Sequence, residues 1–373
     1  MEGYKTYLLG EIAEMKYGKL PPESVMSGKY PIYSGYRYVG YTNTYNCNDG
    51  DVIVVARGVG GTGDVRLLRE KCFLTNLSIL IILNKEICNP AFFYYKYQVR
   101  NLRYLDSGSA QSQITIDDLK RLEITLPSLA EQNRIVSILQ SLDEKIALNK
   151  RINHNLEKQA YALFKSWFVD YEPFKDGEFV DSEVGLIPKG WQVIRFNEFV
   201  QLSNERVQED STPEYSVTNN GIFPREVKFN KQLSSSPLKN KVIRKGNLVF
   251  GMSREILNWG IMKEPIGGVS SAYTVYNVNE LIINPIYLEL YIKTHTTYFM
   301  DLIKPAAREG QGIDKNILAS KFIILPRTDV WRRFLLVFDV LNKELLHKEK
   351  EVVELIKYRD ELLPALINGQ LSC

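Results

Sequence analysis

The chain is poor in the residues that enzymes use most. It has 3 His and 4 Cys in 373 residues. The cysteines (Cys47, Cys72, Cys88 and Cys373) fall at no metal-ligand spacing. They read as reduced thiols, and a cytoplasmic protein is the expectation. The histidines (His154, His295 and His347) are scattered, and two lie on stretches that read as long helices. No His-based metal or acid–base centre is expected. No run of about 18 apolar residues exists and the N-terminus has no signal-peptide core, so neither a membrane protein nor an exported one is indicated. An excess of one charge is missing too: 47 Lys and Arg stand against 44 Asp and Glu, a formal net charge of +3. A free nucleic-acid binder is often far more basic, so such a role needs local patches or partner chains. Hydrophobic residues at 45% and charged residues at 24% are ordinary for a globular protein. The length calls for more than one domain.

What the chain does have is repetition. Leu9-Gly10-Glu11-Ile12 is matched by Phe196-Asn197-Glu198-Phe199, and Gly50-Asp51-Val52-Ile53-Val54 by Gly246-Asn247-Leu248-Val249-Phe250. Asn89-Pro90-Ala91-Phe92 is matched by Asn284-Pro285-Ile286-Tyr287, and Leu122-Glu123-Ile124-Thr125-Leu126-Pro127 by Phe322-Ile323-Ile324-Leu325-Pro326. The last three recur at roughly 195–199 residues, against the roughly 20–50 residues of a solenoid repeat. A whole domain is duplicated. Between landmarks the copies hardly agree, so the frame is shared and the filling differs.

Each copy ends in a heptad pattern. From Leu129 to about Phe168 one seam runs Ile135, Leu139, Leu142, Ile146, Asn149, Asn153, Leu156, Ala160, Leu163, Trp167. The second runs Phe334, Phe338, Leu341, Leu345, Lys348, Val352, Leu355, Arg359, Leu362, Leu366, each roughly 199 residues after its counterpart. Alternating steps of four and three are the mark of a coiled-coil seam. The position-for-position match predicts that the two helices pair. Two separate amphipathic helices, each covering its own domain, are the alternative. Polar Asn149, Asn153 and Lys348 interrupt the seams near the middle; such residues cost stability and oppose slippage. Pro127 and Pro326 end a strand and lead into each helix. The Pro-, Gly- and acid-rich stretch 171–187 reads as an ordered connector with little core of its own.

The modules 1–127 and 188–326 read as strand-rich α/β domains. Val52–Ala56 and Leu77–Leu83 look like buried strands, and Phe92–Arg103 and Ile286–His295 like helices. Gly58-Val59-Gly60-Gly61-Thr62-Gly63 matches the dinucleotide pattern, yet Asp64–Leu68 is too short and strand-like to supply the phosphate-holding helix. The second copy has Met252–Trp259 there, without the glycines, so a variable surface loop is the reading. Asn89-Pro90-Ala91-Phe92 is similar to the Asn-Pro-Pro-Tyr/Phe motif of adenine methyltransferases. The second Pro is missing in both copies and no S-adenosylmethionine loop precedes either. Asn as N-cap with Pro at N1 explains the pair by helix initiation alone.

Several residues are suited to nucleic-acid contact. Tyr30, Tyr33, Tyr36, Tyr38, Tyr41 and Tyr45 crowd one stretch with Arg37 among them; Tyr36 and Tyr38 are expected on one strand face. The loops ahead of each last strand hold Ser109, Gln111 and Gln113 in the first copy and Arg308 and Gln311 in the second. Gln and Arg can bond bidentately to adenine and guanine edges. The loops after the central strands add Arg57, Thr62, Arg254 and Asn258. Asn219 and Asn220 are further candidates in the second module, and Lys228 and Lys231 belong to a basic stretch there, from Arg225 through Lys241 to Lys245, that can neutralise phosphates. For each residue a polar turn, core packing or a solvated face is the competing explanation.

Taken together, the chain resembles the specificity subunit of a type I restriction–modification system over essentially its whole length. The resemblance rests on the duplicated order of module and long helix, and on Leu126-Pro-Ser-Leu-Ala-Glu-Gln132 opening the first helix. It rests also on Ser166-Trp-Phe-Val-Asp-Tyr-Glu-Pro-Phe-Lys-Asp-Gly177, on Gly185-Leu-Ile-Pro-Lys-Gly-Trp191 and on Leu362-Leu-Pro-Ala-Leu-Ile-Asn-Gly-Gln370. Thr328-Asp-Val-Trp-Arg-Arg333 departs from the usual entry of the second helix. The resemblance implies an α/β (α+β) fold: target-recognition domains at 1–127 and 188–326, and two long antiparallel coiled-coil helices, at 128–170 and 327–373, with a pseudo-twofold repeat. It implies that each domain reads half of a split site on double-stranded DNA. A helix of about 40 residues spans roughly 60 Å, longer than the roughly 34–36 Å of one DNA turn, and so can set the unread spacer. Two methyltransferase subunits would dock on the helices and restriction subunits would join. No cofactor is expected on this chain; S-adenosylmethionine and ATP with Mg would sit on the partners. The alternatives are a coiled-coil scaffold with no nucleic-acid role, and a methyltransferase acting through Asn89-Pro90.

Overall fold

The computed structural model describes residues 3–20, 22–23, 27–35, 37–58, 61–106, 113–225, 237–253, 255–303 and 312–371. The chain divides into two compact units, residues 1–153 with 346–373, and residues 154–345. Each unit therefore takes a module, part of one long helix and part of the other.

In the first unit, β1 (Lys5–Leu8) is followed by β2 (Ala13–Tyr17), the hairpin β3 (Tyr30–Ser34) and β4 (Arg37–Thr42), β5 (Val52–Val55), β6 (Val65–Leu67), β7 (Phe73–Leu74), β8 (Ser78–Leu83) and β9 (Glu123–Leu126). These form a four-stranded sheet in the order β2-β8-β5-β6, a three-stranded sheet β4-β3-β7 and the pair β1-β9. The β-branched run of β5 is buried on both faces, as an apolar run without alternation requires. The second unit holds β10 (Phe179–Val180), β11 (Ile187–Pro188), β12 (Gln192–Arg195), β13 (Val200–Ser203), β14 (Tyr215–Thr218), β15 (Gly221–Pro224), β16 (Lys241–Arg244), β17 (Leu248–Phe250), β18 (Trp259–Ile261), β19 (Ile266–Val269), β20 (Thr274–Val278) and β21 (Phe322–Leu325). Its main sheet runs β13-β20-β17-β18, and β12 pairs with β21. Strand for strand the main sheet and this pair repeat β2-β8-β5-β6 and β1-β9, whereas the smaller sheets differ, the second unit having β14-β15 and β16-β19 and the first β4-β3-β7.

Local chemistry repeats as well. Gly50 and Gly246 turn into the central strands at φ +82° and +83°, a left-handed conformation that glycine adopts without a Cβ penalty. The next residue closes each turn in the same way: Asp51 Oδ2 accepts from Asn48 N at 2.7 Å and Asn247 Oδ1 from Arg244 N at 2.8 Å. Asn89 caps the helix Pro90–Val99 and Asn284 the helix Pro285–Thr294. The first of these stops short of the expected Arg103. Asn101 begins a separate 3-10 turn, Leu102–Leu105, by accepting from Arg103 N at 3.0 Å, so the chain breaks at Arg100.

The long helices are Leu129–Phe168 and Thr328–Ile367, 40 residues each. Their pairing is antiparallel in both units. In the first unit Asp143 meets Arg359 at 3.1 Å and Lys145 meets Glu351 at 3.1 Å, and Ile135 and Leu139 share a core with Leu363, Leu366 and Ile367. In the second, Phe164 and Trp167 each lie 5.8 Å from Phe334, ring to ring. Of the seam residues, Ile135, Leu139, Ile146, Asn149, Phe334, Phe338, Val352 and Leu366 are buried; Leu142, Asn153, Leu156, Ala160, Leu163, Trp167, Leu341, Leu345, Lys348, Leu355, Arg359 and Leu362 are half-buried. The connector contributes half-buried Tyr171 and Phe174 to the core of the second unit. Tyr171 is left-handed at φ 54° and its ring packs on Trp191 at 5.4 Å.

Candidate nucleic-acid interface

In the first unit three of the expected elements meet at one corner. The β3–β4 hairpin turns at Gly35, φ +60°, and a Cβ there would lie 3.4 Å from the Arg57 carbonyl oxygen. Arg57 follows β5, is exposed, and forms an antiparallel bridge with Gln113. The hairpin, the loop after the central strand and the root of the loop before β9 are thereby brought together. Ser109 and Gln111 on that last loop, and Tyr36, lie outside the described residues. The expected sharing of a strand face by Tyr36 and Tyr38 falls outside them too. Thr62 is a correction: its side chain is buried and its hydroxyl donates to Gly58 O at 3.1 Å, so it closes the glycine loop and presents nothing outward.

The hairpin carries a layer of rings. Tyr38 and Tyr41 are exposed and lie 5.3 Å apart, and Tyr30 and Tyr45 lie 4.9 Å apart. Lys71 Nζ sits 4.6 Å from the Tyr45 ring centre and Lys29 Nζ 5.5 Å from that of Tyr30, distances at which a cation is drawn to the ring face. Tyr33 is turned inward; burial and the nearby Glu70 carboxylate raise its phenol above the ordinary range. Lys71 was not singled out from sequence. Its place beside Tyr45 depends on strand pairing between distant segments, and adjacency in the chain gives no sign of it.

In the second unit, the β14–β15 hairpin has exposed Asn219 and Asn220 at its tip. It packs on the loop after the central strand, where Gly251 lies against Val217 and Asn258. Asn258 is spent on that loop, Nδ2 donating to Met252 O at 2.6 Å and N to Ser253 Oγ at 2.8 Å. It is therefore a loop brace. Lys228, Lys231, Arg254, Arg308 and Gln311 lie outside the described residues. Lys241 from the same basic stretch is buried; its Nζ donates to Tyr273 O at 2.7 Å, and burial lowers its pKa.

The catalytic alternatives do not fit. Asn89 Oδ1 accepts from Ala91 N at 2.8 Å and Phe92 N at 3.3 Å, and its Nδ2 donates to Asn133 Oδ1 at 2.7 Å. Its amide is fully engaged as a cap and cannot grip a substrate amine. The Gly58–Gly63 loop is followed by β6, an antiparallel strand, where a dinucleotide site needs a helix. Burial pushes the Cys88 thiol up to about 12, which makes it a poor nucleophile. Among the described residues no three His, Cys, Asp or Glu are grouped to hold a metal, and no helix is long and apolar enough to cross a membrane.

Sequence comparison agrees with the geometry. Residues 1–158 match the family described as the type I restriction modification DNA specificity domain. The chain is 27% identical over 322 residues to the type I restriction enzyme MjaIX specificity subunit of Methanocaldococcus jannaschii, covering 80% of this chain and 72% of that protein. It is 23% identical over 291 residues to the MjaVIII specificity subunit of the same organism, covering 70% and 68%. Its fold is similar to the crystal structure of the type I restriction–modification S subunit from M. genitalium, with a TM-score of 0.61 and 18% identity, over 97% of this chain and 96% of that one. Residues 1–158 thus carry a type I restriction modification DNA specificity domain, and over most of its length the chain is similar in sequence to type I specificity subunits and in fold to an S subunit.

Proposed function

We propose that this chain reads a bipartite DNA site, one half with each unit, and directs methyltransferase and restriction subunits to it. One observation carries the reading. The two units repeat the same main-sheet order, glycine turn and Asn-capped helix, yet the elements at the corner of each differ. The first has a tyrosine hairpin and a glycine loop; the second has an Asn-Asn hairpin and a braced loop. Sequence readout needs variable edge-contacting groups on a positioned frame, whereas a scaffold has no use for such divergence. S-adenosylmethionine and ATP with Mg belong to the partner subunits in this reading, and the assembly works in the cytoplasm.

The test is to exchange residues 1–127 for the module of another specificity subunit and to map adenine methylation across the host genome. One half-site should change while the other half and the spacer stay. A change in both halves, or a continuous unsplit motif, would refute the bipartite reading.

A further inference from the structure

We propose that the β3–β4 ribbon enters the DNA major groove and that Tyr38 and Tyr41 recognise thymine there through its 5-methyl group. This rests on the reading of the chain as a DNA binder and names the element and the base.

The ribbon is shaped for it. β4 is the edge of its sheet, and Arg37, Tyr38, Val39 and Tyr41 on it are all exposed. A two-stranded ribbon is one of the elements a major groove admits. The pairing register shifts within the hairpin: Ile32 faces Gly40 but Tyr33 faces Tyr38, which leaves Val39 as a bulge. The inserted residue resets the alternation of faces. Tyr38 and Tyr41, three apart in sequence, therefore share a face and touch edge to face. The same bulge interrupts the ladder and twists the edge, which disfavours the other use of an exposed edge, addition of a strand from a partner protein.

The surroundings agree. Lys29 and Lys71, each over a tyrosine ring, put two cations beside the ribbon where groove-flanking phosphates would lie. Behind it Cys47, Ile53, Leu68, Cys72 and Leu74 form a buried cluster on which Tyr33 packs. Tyr33 is the cross-strand neighbour of Tyr38, and the Tyr38 and Tyr41 rings brace each other edge to face, which reduces the ordering cost of contact. They offer apolar surface, and among the base edges of the major groove thymine's methyl is the apolar group.

The complete chain, co-purified with its methyltransferase partners, is titrated against its own site by fluorescence anisotropy. Each thymine is replaced in turn by deoxyuridine, which deletes only the methyl. In the half-site assigned to residues 1–127, at least one replacement should weaken binding by about fourfold, the value of one buried methyl. Tyr38→Ala and Tyr41→Ala should bind thymine and uracil equally there, and Tyr38→Phe should keep the preference. Replacements in the other half-site should be indifferent to these variants. The idea is overturned by variants that weaken thymine and uracil DNA alike, or by a first half-site made only of G·C pairs. It is overturned also if Tyr38→Ala loses its methyltransferase partners with sequence preference intact, since the edge would then be a protein-docking strand. A wild-type complex with no sequence preference at all would instead sink the DNA-reading function itself.

Discussion

In the first unit the long helix is rooted through polar groups. Gln132 is fully buried; its Nε2 donates to Ile87 O at 2.9 Å and Pro127 O at 3.0 Å, and its Oε1 accepts from Asn89 N at 2.9 Å. Further along, Asp143 accepts from Tyr95 Oη at 2.7 Å and from Arg359 Nη1 at 3.1 Å, tying the Asn-capped helix to both long helices. In the second unit the counterparts of Gln132, Tyr95 and Arg359 are Trp331, Leu290 and Ala160. Trp331 stacks on Phe334 at 5.2 Å, and Phe334 touches Phe164, Phe168 and Trp167. The same joint is built once from directed bonds and once from aromatic area. Hydrogen bonds add little net energy but are costly to leave half-made, so the first joint fixes an angle. Aromatic burial is worth more and is less directional, so the second joint supplies stability and takes its angle from shape.

The comparison breaks most easily at Phe334. Phe334→Ala removes a fully buried ring from the middle of the cluster and should cost about 3–5 kcal/mol. Hydrogen exchange should show the loss in residues 154–345, at the β12–β21 pair and the helix Pro285–Thr294, with protection in the first unit retained. An equal loss in both units would mean that the two joints do not stabilise separately. Gln132→Ala is the matching change in the first unit. It leaves one backbone N–H and two carbonyls without their partner and should cost about 1–3 kcal/mol. Gln132→Leu restores volume but no hydrogen bond, so it should recover little of that loss. Recovery to wild-type stability in chemical denaturation would show that Gln132 serves as filler.

Gln132 also marks where sequence reasoning stops. The frame was legible because its signals are local: the heptad steps gave helices matching Leu129–Phe168, and Asn-Pro marked two capped starts. Gly50 and Gly246 likewise announced equivalent turns. A Gln in the first turn of a helix, by contrast, reads as surface, and only the packing of three separate segments makes it a clamp. The direction of helix pairing was equally hidden, since an a/d seam looks the same in both senses, and it was the family resemblance that supplied it. At the candidate interface, residue type identified the tyrosine hairpin. The bulge at Val39, which decides which rings stand together, arises from cross-strand register. Thr62 and Asn258 were misplaced for a related reason: a polar side chain in a loop can face solvent or close the loop on itself, and here both close it.

The smallest effect concerns the seam. In the first unit it carries a polar node, where Glu351 pairs with Lys348 at 2.9 Å and Lys145 at 3.1 Å. Beside it is buried Asn149, close enough to favour the carboxylate yet without a hydrogen bond among the described residues. The seam positions of the second unit, Leu156, Ala160, Leu163, Leu341 and Leu345, are apolar. Hydrogen bonds from Lys348 and then Lys145 hold the Glu351 carboxyl down to about 2 from an ordinary 4.5. A carboxylate that binds its proton more weakly folded than unfolded adds stability that is complete above pH 4.5 and lost as pH falls through about 2. Glu351→Gln should therefore lower the denaturation midpoint of the first unit at neutral pH, and the gap to wild type should narrow steadily below about pH 4.5. High salt should shrink the gap as well, because the group is only half-buried. A gap that stays constant from pH 6 to pH 3 would show that shape, and not charge, holds the node, and the contrast between a polar and an apolar seam would then carry no electrostatic content.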